Sequence, residues 1–134
     1  MIENWIVPCS IKFFDVVRYF ENNNTIVWKR GSAIHVNDIV YVYVGAPLSE
    51  IKFKCKVILE KVEMDEIMKN KYAVKEGAVI KENRYMKLEL LETYEDGILP
   101  WKELKQHGLG QVQIQARTDR KLLEYIHNII DNQC

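Results

Sequence analysis

The chain has 134 residues of which 48% are hydrophobic, enough apolar surface for one core, so a single domain over residues 1–134 is expected. Its 19 Lys and Arg balance 19 Asp and Glu, which excludes the long-range positive field of a strongly basic domain; any affinity for nucleic acid must come from local geometry. No apolar run approaches the ~18 residues of a membrane span, and the opening MIENWIVPC lacks the basic region and apolar stretch of a signal peptide, so a cytoplasmic protein with no membrane partner is expected.

Asn4 to Val7 reads as a short strand stopped by Pro8, with Ser10 as the cap of a following helix. Phe13, Val16, Val17 and Phe20 recur at helical spacing and predict an amphipathic helix over 11–21. After the turn at Glu21 to Asn24, Thr25 to Lys29 is rich in strand-forming types. Gly31 to Asn37 is a loop, and Asp38 to Val44 (DIVYVYV) is the clearest strand of the chain. Ile39, Tyr41 and Tyr43 share one face of it and Val40, Val42 and Val44 the other, so both faces are expected to be covered.

Gly45, Ala46 and Pro47 break that strand. From Ile51 the pattern alternates again, placing Ile51, Phe53, Cys55 and Val57 on one face and Lys52, Lys54 and Lys56 towards water. Glu63 to Tyr72 is a candidate short helix, Ala73 to Asn83 is polar and irregular, and Tyr85 to Tyr94 is a strand closed by the Asp96-Gly97 turn. Pro100 opens a short helix that Gly108 ends. Gln111 to Arg117 alternates Val112 and Ile114 with glutamines and reads as an edge or pocket-lining strand. A last helix starts near Asp119 with Leu122, Leu123, Ile126, Ile129 and Ile130 on one face. Five or six short strands with helices at the start, late middle and end suggest an α+β fold around a curved antiparallel sheet.

Few residues invite a catalytic reading. There is no G-x-S-x-G elbow, no Walker or G-x-G-x-x-G phosphate loop and no H-E-x-x-H. His35, His107 and His127 have no ligand partner at helical or turn spacing and read as structural. Cys9, Cys55 and Cys134 are odd in number and widely spaced, which supports neither a disulfide framework nor a cysteine zinc site; Cys55 reads as an inert core residue. The acidic cluster Glu60, Glu63, Asp65 and Glu66 reads as a solvated face. No catalytic residue, metal ligand or cofactor is therefore assigned.

Taken in order, Trp5 to Pro8 (WIVP), Phe14-Asp15, Trp28, Asn37 to Tyr41 (NDIVY), Tyr43, Pro47, Ile51, Cys55 to Val57 (CKV) and Leu104 to Gly108 (LKQHG), followed by a glutamine and arginine stretch and a closing helix, resemble the EVE domain pattern. The resemblance spans nearly the whole chain through the order and spacing of these pieces. It implies the PUA-like fold shared with YTH and PUA domains, a small antiparallel β-barrel of five to six strands with flanking helices. It further implies recognition of nucleic acid, DNA or RNA, often through a modified base such as a modified cytosine held in an aromatic pocket. Bacterial relatives occur alone or fused to nucleases that attack modified DNA, so a nuclease or defence-system partner is implied. One departure is the turn: the family usually has Gly-Asp where this chain has Asn37-Asp38, and Asn tolerates positive φ better than other non-glycine residues.

The family pattern implies Trp28 as the stacking platform, with Lys29 and Ser32 beside it for polar contacts and Tyr43 in the lining. Ala46, Pro47 and Leu48 would form the opposite wall, and Gln115 and Arg117 would contact a phosphate or base edge. Extruding a base costs a few kcal/mol, which an aromatic stack worth ~1–3 kcal/mol helps offset. Trp28, Tyr43 and Trp5 also fit ordinary core positions, and the lysines of the half-exposed strand fit either a nucleic-acid backbone or plain solvent. Two rival readings stay open: an enzyme acting on a small ligand in the same pocket, marked by a titratable pair with shifted pKa values, and a protein-interaction module, marked by an exposed apolar patch or edge strand.

Overall fold

The apolar alternation of the sequence becomes one six-stranded sheet in the computed structural model, which describes residues 2–69 and 81–133. The strands are β1 (Asn4–Cys9), β2 (Thr25–Lys29), β3 (Ile39–Val44), β4 (Glu50–Leu59), β5 (Tyr85–Thr93) and β6 (Ala116–Arg117). The helices are α1 (Val16–Asn22), α2 (Met64–Lys69), α3 (Trp101–Gln106) and α4 (Arg120–Asp131). Strand order is β2-β5-β4-β3-β1-β6. The sheet is mixed rather than wholly antiparallel, because β1 runs parallel to β3 from Asn4↔Ile39 to Cys9↔Val44. A parallel pair needs a long crossover, and α1 with β2 supplies it. Among the described residues no helix is long and apolar enough to cross a membrane.

Register shifts between β3 and β4 and between β4 and β5 add twist, and the sheet curls without closing. No ladder joins the outer strands β2 and β6; the Gln115 side chain instead donates from Nε2 to the Lys29 carbonyl at 2.7 Å. Three apolar clusters fill the space around the sheet. Val40, Val42 and Val44 pack with Phe53, Cys55 and Val57 and with Val16 and Phe20 of α1. On the other face Tyr41, Tyr43 and Ile51 meet Leu104 of α3 and Leu122 and Ile126 of α4, so both faces of β3 are covered as its alternation predicts. Ile67 of α2 joins Val27, Val62 and Tyr85 in the smallest cluster.

Four local readings change. Ser10 does not cap a helix beginning at residue 11: its carbonyl receives the N–H groups of Phe13 and Phe14 in a tight turn, and Asp15 caps α1 by accepting from Arg18 N at 3.1 Å. Phe13 is therefore off the apolar stripe and 90% exposed. Pro8 does not end β1, which continues to Cys9. The carbonyls of Glu3 and Cys9 point towards β3 and that of Asn4 towards β6, so Pro8 turns its missing donor to the side that the two-residue β6 does not reach.

Ile51 and Phe53 lie in different clusters because Lys52 is the extra residue where the register moves from Val42↔Phe53 to Tyr43↔Ile51. Lys52 is consequently only 5% exposed, its ammonium held by the Tyr94 carbonyl and Asp96 Oδ1, while Lys54 and Lys56 are half-buried. Of Gln111 to Arg117, only Ala116 and Arg117 pair as strand, and the remainder is irregular. The candidate helix over 63–72 is present as α2, with Asn70 to Tyr72 outside the described residues, as are most of 73–83 and Cys134. Cys9 and Cys55 are free thiols and buried.

The turn before β3 is the tightest constraint. Asn37 takes φ 77°, the left-handed conformation that a glycine would otherwise supply. Asp38, 2% exposed, accepts from Glu3 N at 3.0 Å, Trp5 Nε1 at 3.0 Å and His35 N at 2.9 Å. Burial alone raises a carboxyl pKa, but these donors outweigh it and the Asp38 value lies below the ordinary one. A depressed native pKa means that the stability carried by the ionised form is complete above the unfolded value of about 3.9 and is lost as pH falls through the native value. Asp38→Asn turns an amide donor towards these donors, with an expected cost of about 2–4 kcal/mol in urea unfolding at neutral pH and a smaller gap from the parent below about pH 3. Asn37→Gly is expected to unfold within about 1 kcal/mol of the parent, whereas Asn37→Val, β-branched at positive φ, should lose about 1–3 kcal/mol.

Candidate functional site

The open seam between β2 and the β1–β6 side holds a cleft of about 650 Å³. Trp28 and Lys29 enter from β2, Pro8 from β1, Tyr85 from the start of β5, and Gln113 to Gln115 from the irregular segment before β6. Strand β2 presents Trp28 because it pairs with β5 in the register Trp28↔Met86 and Lys29↔Tyr85, leaving its other edge to the seam. Gly31 lets the glutamine segment approach: a Cβ there would lie 2.8 Å from Gln115 Oε1. One side-chain hydrogen bond, from Gln115 to the Lys29 carbonyl, ties the wall opposite β2 across the seam.

Among the described residues the lining carries four basic residues, Lys29, Arg30, Lys81 and Arg84, and no carboxylate or imidazole. They are not equivalent. Arg30 is spent on structure, donating to the carbonyls of Ile34 at 2.7 Å and Asn83 at 3.0 Å and pairing with Glu60 at 3.3 Å. That Glu60 also accepts from Val36 N and contacts His35, which together hold its carboxyl below the ordinary range. Lys29, Lys81 and Arg84 are exposed and enter none of the ion pairs among the described residues. Three unspent cations beside an indole are suited to an anionic ligand with a flat ring.

Two smaller hollows adjoin this cleft at Pro8. One, about 270 Å³, is lined by Phe13, Phe14, Ser10, Cys9 and Val27, and shares Trp28 and Lys29 with the main cleft. The other, about 370 Å³, is bounded by Tyr43, Gly45, Cys9, Val112 and Gln113. Burial raises the Cys9 thiol to about 11 and also raises the Tyr43 phenol, so both stay protonated at neutral pH. Among the described residues no group of three or more His, Cys, Asp or Glu could hold a metal ion.

Of the residues singled out from the sequence, Trp28, Lys29 and Gln115 are brought together in the main cleft. Tyr43 is buried in the cluster under α3 and α4 and reaches only the neighbouring hollow. Ser32 is exposed, and the Ala46-Pro47-Leu48 loop folds back through Ser49 N to the Gly45 carbonyl, with Leu48 against the core; none of these four lines the cleft. Arg117 lies in a separate hollow, its guanidinium 5.0 Å over the Trp5 ring and 3.5 Å from Glu3. Sequence reasoning missed Phe13, Pro8, Tyr85, Lys81 and Arg84. Lys81 and Arg84, separated by Glu82 and Asn83, form no run or motif that points to a site, and Phe13 was hidden by its fit to a helical stripe.

No protein-family model matches the chain, and no curated protein matches its sequence. Solved structures do match over nearly the full length of both chains. A hypothetical protein from Leishmania major superimposes with a TM-score of 0.72 at 14% identity, covering 99% of this chain and 97% of that one. The human THYN1 protein, solved in complex with 5-methylcytosine containing DNA, gives 0.65 at 10% identity with 98% of each chain covered. A variant of ZmASCH from Zymomonas mobilis gives 0.63 at 7%, covering 94% and 97%. The fold is the PUA-like fold, α+β, that the EVE resemblance implies.

The seam offers its own test. In Gly31→Ala the new methyl displaces the far end of the flexible Gln115 side chain and breaks its bond to Lys29, with no backbone strain. We expect a stability loss of about 0.5–1.5 kcal/mol, the worth of one hydrogen bond, together with faster limited proteolysis within Gln111 to Gln115.

Proposed function

We propose that this PUA-like chain is a nucleic-acid-binding module that takes one base, a modified cytosine in DNA or a modified base in RNA, into the cleft beside Trp28. The observation that carries this reading is the lining itself, which among the described residues sets an indole next to three cations outside any ion pair and holds no acidic group. Trp28 stacks the base, Gln113 and Gln115 offer amide donors and acceptors to its edge, and Lys29, Lys81 and Arg84 take the flanking phosphates. The human THYN1 structure with 5-methylcytosine DNA supports a DNA ligand for this shape of molecule. A nuclease or defence-system partner would supply any catalysis. Because the cleft holds cations and a ring rather than an acid–base pair, the small-ligand enzyme is the weaker reading.

Tryptophan fluorescence during titration with short DNA and RNA oligonucleotides, with and without methylated or hydroxymethylated cytosine or methylated adenine, tests the reading directly. We expect quenching by one modified base and a shallow salt dependence. Trp28→Ala should weaken that oligonucleotide at least tenfold, and Trp28→Phe should recover part of the loss while repacking the core that the indole touches. Lys81→Gln and Arg84→Gln should each lower the logarithmic salt slope by about 0.7–0.9. Unchanged affinity in a folded Trp28→Ala protein would remove Trp28 from the site.

A further inference from the structure

Phe13 is the feature that the one-base reading leaves unused. A phenyl ring 90% exposed contributes almost nothing to folding, and it sits on the rim of a hollow whose floor is apolar, from Phe14 and Val27. The ring is placed by a turn in which the Ser10 carbonyl accepts from both Phe13 and Phe14, and Phe14 is fixed edge-on to Tyr19 with centroids 5.5 Å apart. At about 270 Å³ the hollow is below the range of about 300–1,000 Å³ usual for a whole small molecule, which suits a single flat ring. It shares Trp28, Lys29 and Pro8 with the main cleft, so a ring-sized hollow adjoins the larger cleft with one cationic side chain common to both linings.

We infer that the site reads two successive nucleotides of an unstacked strand, one base beside Trp28 in the main cleft and its neighbour against Phe13 in the adjoining hollow, with Lys29 at the phosphate that links them. This inference rests on the proposed base-binding role of the cleft. Charge complementarity selects the occupant: the phosphate joining two bases lies where the linings meet, and the exposed cation that both linings contain is Lys29. A free nucleoside fills only one space and leaves the Phe13 ring in water.

The test measures affinities of the parent, Phe13→Ala and Lys29→Gln proteins for 5-methyl-2′-deoxycytidine, for a dinucleotide containing it, and for the dinucleotide with unmodified cytosine. The dinucleotide is expected to bind the parent at least tenfold tighter than the nucleoside. In Phe13→Ala, whose Tm should match the parent because the ring is exposed, that ratio is expected to fall towards one. Lys29→Gln should reduce the ratio and its salt dependence together. Nucleoside binding with no gain from the second nucleotide, or a gain that survives Phe13→Ala, overturns the two-base inference and leaves the one-base reading standing. Binding of none of the three ligands, together with no fluorescence response to any of the DNA and RNA oligonucleotides, overturns both. A changed oligomeric state on size exclusion in Phe13→Ala, with the dinucleotide ratio intact, overturns the inference in favour of Phe13 as a contact between copies of the chain.

Discussion

The parallel pairing of β1 with β3 has no hairpin to set its register, and the carboxylate of Asp38 sets it instead. One oxygen holds the backbone of Glu3 and the other holds the Trp5 indole and the His35 amide, so the first strand, the loop before β3 and the start of β3 meet at one buried charge. The Asp38 carbonyl receives Val57 N at 2.9 Å and the Asn37 amide donates to the Val57 carbonyl at 2.8 Å, which carries the same constraint into β4. A one-residue slip would turn the valines of β3 away from α1 and the tyrosines away from α4. A lone buried carboxylate is costly, and three donors in good geometry are what make this one a net constraint.

The candidate site follows from where that constraint stops acting. β1 and β3 are paired to their ends, but β6 spans two residues, so the sheet curls and leaves a seam beyond Ile6. Pro8 keeps that seam free of a further strand by removing a donor, and Gln115 keeps it from widening by tying the glutamine segment to Lys29. A cleft at the open seam of the sheet needs no cavity in the core. The apolar clusters stay packed, and the groups that line the cleft are drawn from a strand edge and an irregular segment.

Net charge is a poor guide to this surface. The chain balances 19 basic against 19 acidic residues, yet among the described residues the cleft lining is wholly basic in its charged groups. The separation comes from pairing: Glu60 is committed to Arg30, Glu66 to Lys87, Glu82 to Lys61, and Asp96 to the buried Lys52. Lys29, Lys81 and Arg84 are left at the seam. Local fields of this kind act within about 8 Å at physiological salt, so they would act on an anion already at the cleft rather than on one at a distance.

Periodicity in the sequence determined what neighbouring residues decide among themselves: strand and helix types, the two covered faces of β3, the Pro100 start and Gly108 end of α3, and the tolerance of Asn37 for positive φ in place of glycine. The family resemblance, rather than periodicity, implied Trp28, Lys29 and Gln115, which the fold brings to one cleft between β2 and the glutamine segment. Only the tertiary structure decided the rest. Whether Phe13 joins a helical stripe depends on the Ser10 turn, and whether Lys52 faces water depends on a bulge between β3 and β4. The convergence of Lys81, Arg84 and Tyr85 on Trp28 depends on β5 lying beside β2. These are choices between conformations of nearly equal local energy, and contacts between distant segments select among them.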